Sequence, residues 1–283
     1  METAIGSMSG AAMAPEDGHA FVPQRCRSTD RVMWLTADRL FYAGLLGARS
    51  LHTQGAIIAY VAIDGRLSVR LGGGEWVATE VAVIQPYVPY EIASEGRNVL
   101  NVLVEPETVD VGRLPPLLRR CGAVHAPGFA AHVRDMHRRL ASKDDAPHLR
   151  PADFDLAFFG EPLPARRLDG RIAAVLENIR NDPSGAMPSE VCASRVNLSF
   201  SRLRHLFKEE VGIPFRNVRA WKRARSLLHH VHTGTSLVHI ALDIGYPDST
   251  HFSHSIRQVY GLKPKDIIAG ARKLRIVAQA PAL

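Results

Sequence analysis

Hydrophobic positions recur every three to four residues through the last third of the chain, and the pattern occurs twice. Leu203, Leu206 and Phe207 make one apolar stripe and Phe252, Ile256 and Val259 another, each at the spacing that lines one face of an α-helix. Ahead of them lie two supporting stretches, residues 190–198 and 239–246, each with a small residue, Ala193 or Ala241. Ala193 to Ala241 and Leu198 to Tyr246 are 48 apart, whereas Phe207 to Ile256 and Gly212 to Gly261 are 49 apart, so the second copy carries one inserted residue. A small residue lets two helices cross closely before a turn, which makes each copy a helix-turn-helix. Ser199 in the first copy, and Asp248 or Ser249 in the second, supply an N-cap oxygen, and Gly212 and Gly261 supply the stop. Between the copies, Val218, Trp221, Ala224, Leu227, Leu228 and Val231 predict one long spacer helix over 215–231.

The front of the chain follows another rhythm. β-type runs at 40–46, 56–63, 67–71, 82–85 and 99–104 are broken by Asp64-Gly65, Gly72-Gly73-Gly74 and Glu95-Gly96. Asp64-Gly65 between two such runs predicts a hairpin, and the number of short strands predicts a sandwich or barrel. A helix is expected over 127–140, with Phe129, Val133, Met136 and Leu140 on one face and Arg134, Asp135, Arg138 and Arg139 opposite. The apolar face fits either the sheet or its twin in a second subunit. Residues 142–147 then break the helix, and Glu161-Pro162-Leu163-Pro164-Ala165 reads as a stiff linker. The fold class is α+β in two domains.

Charge divides the chain at the same place. From residue 166 onward there are 19 Lys and Arg against 9 Asp and Glu, leaving 16 against 19 before it, within a net +7. A basic module behind a slightly acidic one is the electrostatic footprint of a polyanion binder. With 283 residues and 46% hydrophobic content, two cores of ordinary size can be buried. The first 27 residues lack a basic start and an apolar run, so they read as a disordered tail and not a signal peptide. Cys26, Cys121 and Cys192 include no Cys-x-x-Cys pair, which argues against a disulfide framework or zinc finger and points to the cytoplasm. Nothing reads as a membrane span.

With the apolar stripes facing inward, Ser201, Arg202, Arg204, His205 and Lys208 face outward on the first helix, and Ser249, Thr250, Ser253, His254 and Arg257 on the second. The residues Leu198-Ser199-Phe200-Ser201-Arg202-Leu203-Arg204-His205-Leu206-Phe207-Lys208 with Gly212, then Ile240-Ala241, Gly245-Tyr246, His251-Phe252-Ser253 and Gly261-Leu262-Lys263-Pro264, resemble the DNA-binding domain of the AraC/XylS family of transcription regulators over residues 168–275. His254 and His205 stand where that family commonly has arginine, and Ile256 where it has phenylalanine. The resemblance implies base contacts by Ser201, Arg202, Arg204, His205, Ser249, Thr250, Ser253 and His254. Phosphate contacts are expected from Lys208, Arg223, Arg257, Lys263 and Lys265. Ahead of it, His52, Gly65, Trp76 and Pro86-Tyr87-Val88-Pro89-Tyr90 resemble the cupin-like sensor domain of many relatives.

A metal-binding cupin presents His-x-His, a Glu and a later His, but here His52-Thr53-Gln54 and Tyr90 break that set, so no metal or other cofactor is expected. A ligand pocket lined by His52, Gln54, Tyr60, Trp76, Tyr87 and Tyr90 is the expectation from the resemblance, with core packing the competing reading of those aromatics. The division expected is a tail at 1–27, a cupin-like domain at 28–112, a helical dimerisation region at 113–165 and a DNA-binding domain at 166–276, with helix-turn-helix units at 188–209 and 236–259. Together these imply a cytoplasmic, homodimeric, non-enzymatic regulator that binds double-stranded operator DNA, answers to a small-molecule effector and meets RNA polymerase if it activates. The alternatives are a cupin-type enzyme, which lacks its ligand set here, and an architectural DNA-binding protein without a sensor.

Overall fold

The computed structural model describes residues 31–142, 151–231, 234–271 and 274–279; the expected tail at 1–27, most of the helix break at 142–147, and Cys26 lie outside them. The strands are β1 (Val32–Leu35), β2 (Arg39–Leu45), β3 (Ile57–Val61), β4 (Leu67–Leu71), β5 (Val77–Thr79), β6 (Val81–Ile84), β7 (Tyr90–Ser94), β8 (Asn98–Val104), β9 (Gly122–Val124) and β10 (Arg275–Gln279). The α-helices are α1 (Pro127–Ala141), α2 (Phe154–Phe159), α3 (Gly170–Asn181), α4 (Ser189–Ser194), α5 (Phe200–Val211), α6 (Phe215–Ser226), α7 (Leu237–Asp243), α8 (Ser249–Tyr260) and α9 (Pro264–Ala271).

Seven strands pair in the order β10-β1-β2-β8-β3-β6-β9, and three more in the order β5-β4-β7. Alternation of side chains lets the large sheet bury both faces. Trp34, Phe41, Ile57, Val83 and Val102 pack beneath α1 and α2, while Met33, Ile58, Tyr60, Ala82 and Leu103 face Leu67, Val69 and Ile92 of the small sheet. This geometry corrects the hairpin expected at Asp64-Gly65: β3 pairs with β8 and β6, and β4 pairs with β5 and β7. All five residues of β3 are buried, so both its edges are taken within the large sheet, and Gly65 at φ 59° turns the chain across to the other layer.

Helix α1 settles which partner its stripe has. Val133 and Leu140 are fully buried and Met136 nearly so, in one core with Phe154 and Phe158 of α2, and Phe129 stacks on Phe159. The expected dimer face formed by Phe129, Val133, Met136 and Leu140 is thus covered by the chain's own sheet and α2. The proline-rich linker is pinned as well: Asp110 N–H donates to Pro164 O at 2.7 Å, Arg166 N–H to Thr108 O at 3.2 Å, and Leu163 enters the core.

Behind the linker, α3, α4 and α5 close one core around Leu203 and Phe207, and α7 and α8 close another around Ile240 and Phe252. Helix α6 contributes to three cores: Phe215 and Val218 to the first, Trp221 to the inside of the front domain, and Ala224 to the last. It ends at Ser226 and tightens into a 3-10 turn at Leu227–His229, which shortens the single helix expected over 215–231; Ser226 turns its hydroxyl back onto Arg223 O at 2.8 Å. The chain then returns to where it began. β10 pairs in parallel with β1, and Arg275 donates to Leu140 O, Ala141 O and Ser142 O at the carboxyl end of α1, where a cation is favoured. Residues 275–279 therefore belong to the front sheet, so the helical part stops short of the end expected at 276.

Candidate nucleic-acid interface and effector cavity

Both expected helix-turn-helix units form, and their caps have a clear chemical cause. Ser199 Oγ accepts the Arg202 N–H at 3.2 Å, and Asp248 accepts from Thr250 and His251 N–H at 2.8 and 2.9 Å, so Asp248 and not Ser249 is the second cap. Gly212 and Gly261 end the two helices in the left-handed region at φ 80° and 66°. On α5, Ser201, Arg202, Arg204, His205 and Lys208 are exposed. On α8, Ser249, Thr250, His254 and Arg257 are exposed and Ser253 is half-buried, with Lys263 and Lys265 exposed at the start of α9.

The first unit gathers its polar groups into a groove of about 790 Å³ between α5 and α6, lined by Ser201, Arg204, His205, Lys208, Arg216 and Arg223 among others. Arg202 lies outside it. Arg204 rests over the Phe200 ring at 5.7 Å, and Arg223, half-buried, over Tyr246 at 5.6 Å, so both guanidinium planes are held before any ligand arrives. Arg219 lies in the same groove but has structural work: it donates to Ser189 Oγ, Met187 O and Gly185 O and so fixes the loop entering α4. Arg216 and Arg219 were not among the expected contacts, although the basic run on α6 pointed to them.

A second site lies where the domains meet. A cavity of about 110 Å³ is lined from the front domain by Arg31, His52, Gln54, Tyr60 and Asn101, among apolar neighbours such as Leu40 and Leu103, and from the helical domain by Val259, Tyr260, Ile267 and Ala271 of α8 and α9. Of the six expected lining residues, His52, Gln54 and Tyr60 face it. Tyr90 stands behind them, bonded to Gln54 and Tyr60 at 2.6 and 2.7 Å and stacked on His52. Trp76 is placed elsewhere, between Arg49 and Arg70, and the Tyr87 hydroxyl points toward Gly55. Two buried polar atoms on the cavity wall, Arg31 Nε and Asn101 Oδ1, have no hydrogen-bond partner among the described residues. Burial lowers the His52 pKa, outweighing a bond to the Val259 backbone, so the ring is neutral at pH 7. No cluster of three or more His, Cys, Asp or Glu suited to a metal occurs among the described residues.

The cavity adjoins the end of the second unit. A Cβ on Gly261 would collide with the His52 ring, and Thr53 N–H donates to Gln258 O at 3.2 Å. Val259, Tyr260, Ile267 and Ile268 pack on both the front-domain interior and the second unit's core. Among the described residues the first unit shares no such core; Arg166 bridges it to the front domain by donating to Glu210 O at 2.7 Å and Val109 O at 3.1 Å.

A further contact between the domains is ionic and was missed from sequence. Lys222 on α6 pairs with both Glu105 and Glu107, at 2.6 Å for the latter, and Arg225 pairs with Glu105 at 2.9 Å while donating to Thr36 O, Ala37 O and Arg39 O. These charges are buried. Val218, Trp221, Lys222 and Arg225 share the i, i+3, i+4, i+7 spacing of one face, so two cations on an apolar stripe were the available signal.

Residues 192–269 match the helix-turn-helix domain family. The chain is 31% identical over 105 residues to the HTH-type transcriptional activator RhaS of Escherichia fergusonii, covering 36% of this chain and 37% of that one. It thus spans little more than a third of the curated relative's length. Among solved structures, ToxT from Vibrio cholerae aligns with 82% of this chain and 98% of its own at 9% identity and a TM-score of 0.53. ToxT from Vibrio cholerae O395 bound to (E)-4-(8-methylnaphthalen-1-yl)but-3-enoic acid aligns with 82% of this chain and 99% of its own, at 9% identity and a TM-score of 0.50. These likenesses concern the two-domain fold, a β-rich part followed by a helical one. No helix among the described residues is long and apolar enough to cross a membrane. Residues 192–269 of this chain thus match a helix-turn-helix domain, carried behind a β-rich front domain.

Proposed function

We propose that the chain is a sequence-specific DNA-binding transcriptional regulator whose front domain senses a small, largely apolar molecule. The observation that carries the reading is the pair of capped helices, α5 and α8, presenting polar outward faces from one spacer, α6. Adjacent major grooves on one DNA face lie about 34 Å apart, so a fixed spacer sets which groove pair the two heads can enter, or requires the DNA to bend. Arg202 and Arg204 suit bidentate reading of guanine, and Lys208 suits phosphate. Arg202→Ala is expected to lose about 1–3 kcal/mol at one base position, while Lys208→Ala weakens all sites alike and flattens the salt slope by about one unit. Titrations against a site and its single-base variants at several salt concentrations check this; equal losses on every sequence for both variants would remove the assignments.

The effector reading is supported by Arg31 Nε and Asn101 Oδ1, partnerless among the described residues in a largely apolar cavity, since such atoms cost about 1–3 kcal/mol each unless a ligand or water meets them. Because α8 and α9 form part of the wall, an occupant touches the second head directly. Filling the space with Leu103→Trp is expected to abolish any effector-dependent change in DNA affinity while leaving basal binding intact. DNA titration with and without effector reads this, and an unchanged effector response would place the ligand elsewhere. A homodimer, in this account, uses a surface other than the α1 stripe, and an activating role adds a contact with RNA polymerase.

A further inference from the structure

Among the described residues, the ionic junction between the front domain and α6 holds one more carboxylate than it holds cations. Asp38, Asp155, Glu105 and Glu107 stand against Arg39, Lys222 and Arg225. Arg39 occupies the front half, bonded to Asp155 at 2.8 Å, Asp38 at 2.9 Å and Thr108 at 2.9 Å. Lys222 and Arg225 occupy the half nearer α6 and take Glu105 between them. Among the described residues Glu107 is in ionic contact with Lys222 alone, which it shares with Glu105. The other groups facing Glu107 do not supply the missing charge. The Tyr87 phenol is held neutral by burial and by Glu107 itself, and Arg180 on α3 is already paired with Glu177 at 3.0 Å. His229, next to Arg225, is pulled down to about 4 by burial and by the neighbouring Arg225 and His230, so it is neutral too.

We propose that this junction is a proton-linked latch: a proton on Glu107 balances the cluster and closes the front domain onto α6, and its loss loosens that grip. The latch does not depend on the effector cavity. Burial raises Glu107 from 4.5 to about 7, against a backbone hydrogen bond and the pull of Arg225, and burial likewise lowers Lys222 well below the usual lysine range. The sign follows from linkage. A carboxyl whose value is higher in the closed form favours closure most below its free value of 4.5, and that preference fades as pH rises to about 7, beyond which it stays constant. The closed-to-open ratio therefore falls by about two orders of magnitude across that window.

Hydrogen exchange of the α6 amides at 221–226 in the full chain, corrected for the intrinsic pH dependence of exchange, tests the latch between about pH 5 and 8. Protection in the wild-type chain should fall as pH rises and level off above about pH 7. Glu107→Gln, neutral at every pH, should stay protected throughout. Lys222→Met, which removes the cation that favours the charged carboxylate, should carry the fall to higher pH. A flat wild-type profile, or a Glu107→Gln profile that keeps the wild-type fall, would overturn the proposal.

Discussion

Phe207→Ala is expected to unfold the first head alone, whereas Phe252→Ala is expected to loosen the front domain together with the second head. Both rings are essentially fully buried, and truncating a buried Phe removes apolar contact and leaves a cavity, at a cost of about 3–5 kcal/mol. What differs is the surroundings. Phe207 meets Phe215 edge-on in a core confined to α3, α4, α5 and the start of α6. Phe252 packs on Tyr246, in a core whose neighbours Val259, Tyr260, Ile267 and Ile268 also pack inside the front domain. A cavity at Phe252 is therefore one packing layer from Leu228, Ala271 and Ile58, and strain passes through close-packed interiors. Hydrogen exchange resolves the two cases: the first substitution should expose α3 to α5 and leave β8 protected, the second should lower protection in α8, α9 and β1 together. If both substitutions perturbed the same elements, the two heads would not be coupled unequally to the front domain.

Lys222→Ala is expected to destabilise the whole chain by about 3–5 kcal/mol, more than any surface charge substitution, because it leaves buried carboxylates underpaired. Among the described residues, the fully buried Glu105 then keeps only Arg225, and Glu107 keeps no partner of opposite charge in contact. An exposed pair such as Arg139 with Asp135 should contribute about 0–1 kcal/mol by contrast. The double variant Lys222→Met with Glu107→Leu should recover part of the loss, since it removes the orphaned charge along with its partner and leaves Glu105 to Arg225. Chemical denaturation of the three chains measures this. A loss below about 1 kcal/mol for Lys222→Ala would show that the junction behaves as solvated surface pairs.

Legibility in the sequence followed the range of the interactions. The helix-turn-helix pair was readable because its determinants are local: an alanine at the crossing, a capping oxygen, an apolar stripe and a terminal glycine all fall within about 20 residues. Five strands were readable for the same reason, as short apolar runs between glycines. Their pairing was not. Asp64-Gly65 carries the chemistry of a hairpin turn, yet β3 is claimed from both sides by β8 and β6, and long-range pairing prevails over the turn. β10 escaped notice because a strand that pairs with β1 across more than 240 positions leaves no local trace. In the cavity, three aromatic or polar residues lay where the resemblance implied, but the wall contributed by α8 and α9 and the roles of Arg31 and Asn101 depend on how the domains dock. Lys222 and Arg225 were concealed by composition, since cations in a basic domain read as phosphate ligands until their acidic partners are brought to them.

The central claim is that two unequal heads on one spacer read DNA sequence, and footprinting of the purified chain on DNA selected from random sequence tests it most directly. The account requires one asymmetric site with protection in two adjacent major grooves on one face, about 10 base pairs apart, in which Arg204→Ala relaxes preference in one half only. Protection without a preferred sequence, or one confined to a single groove, would contradict it.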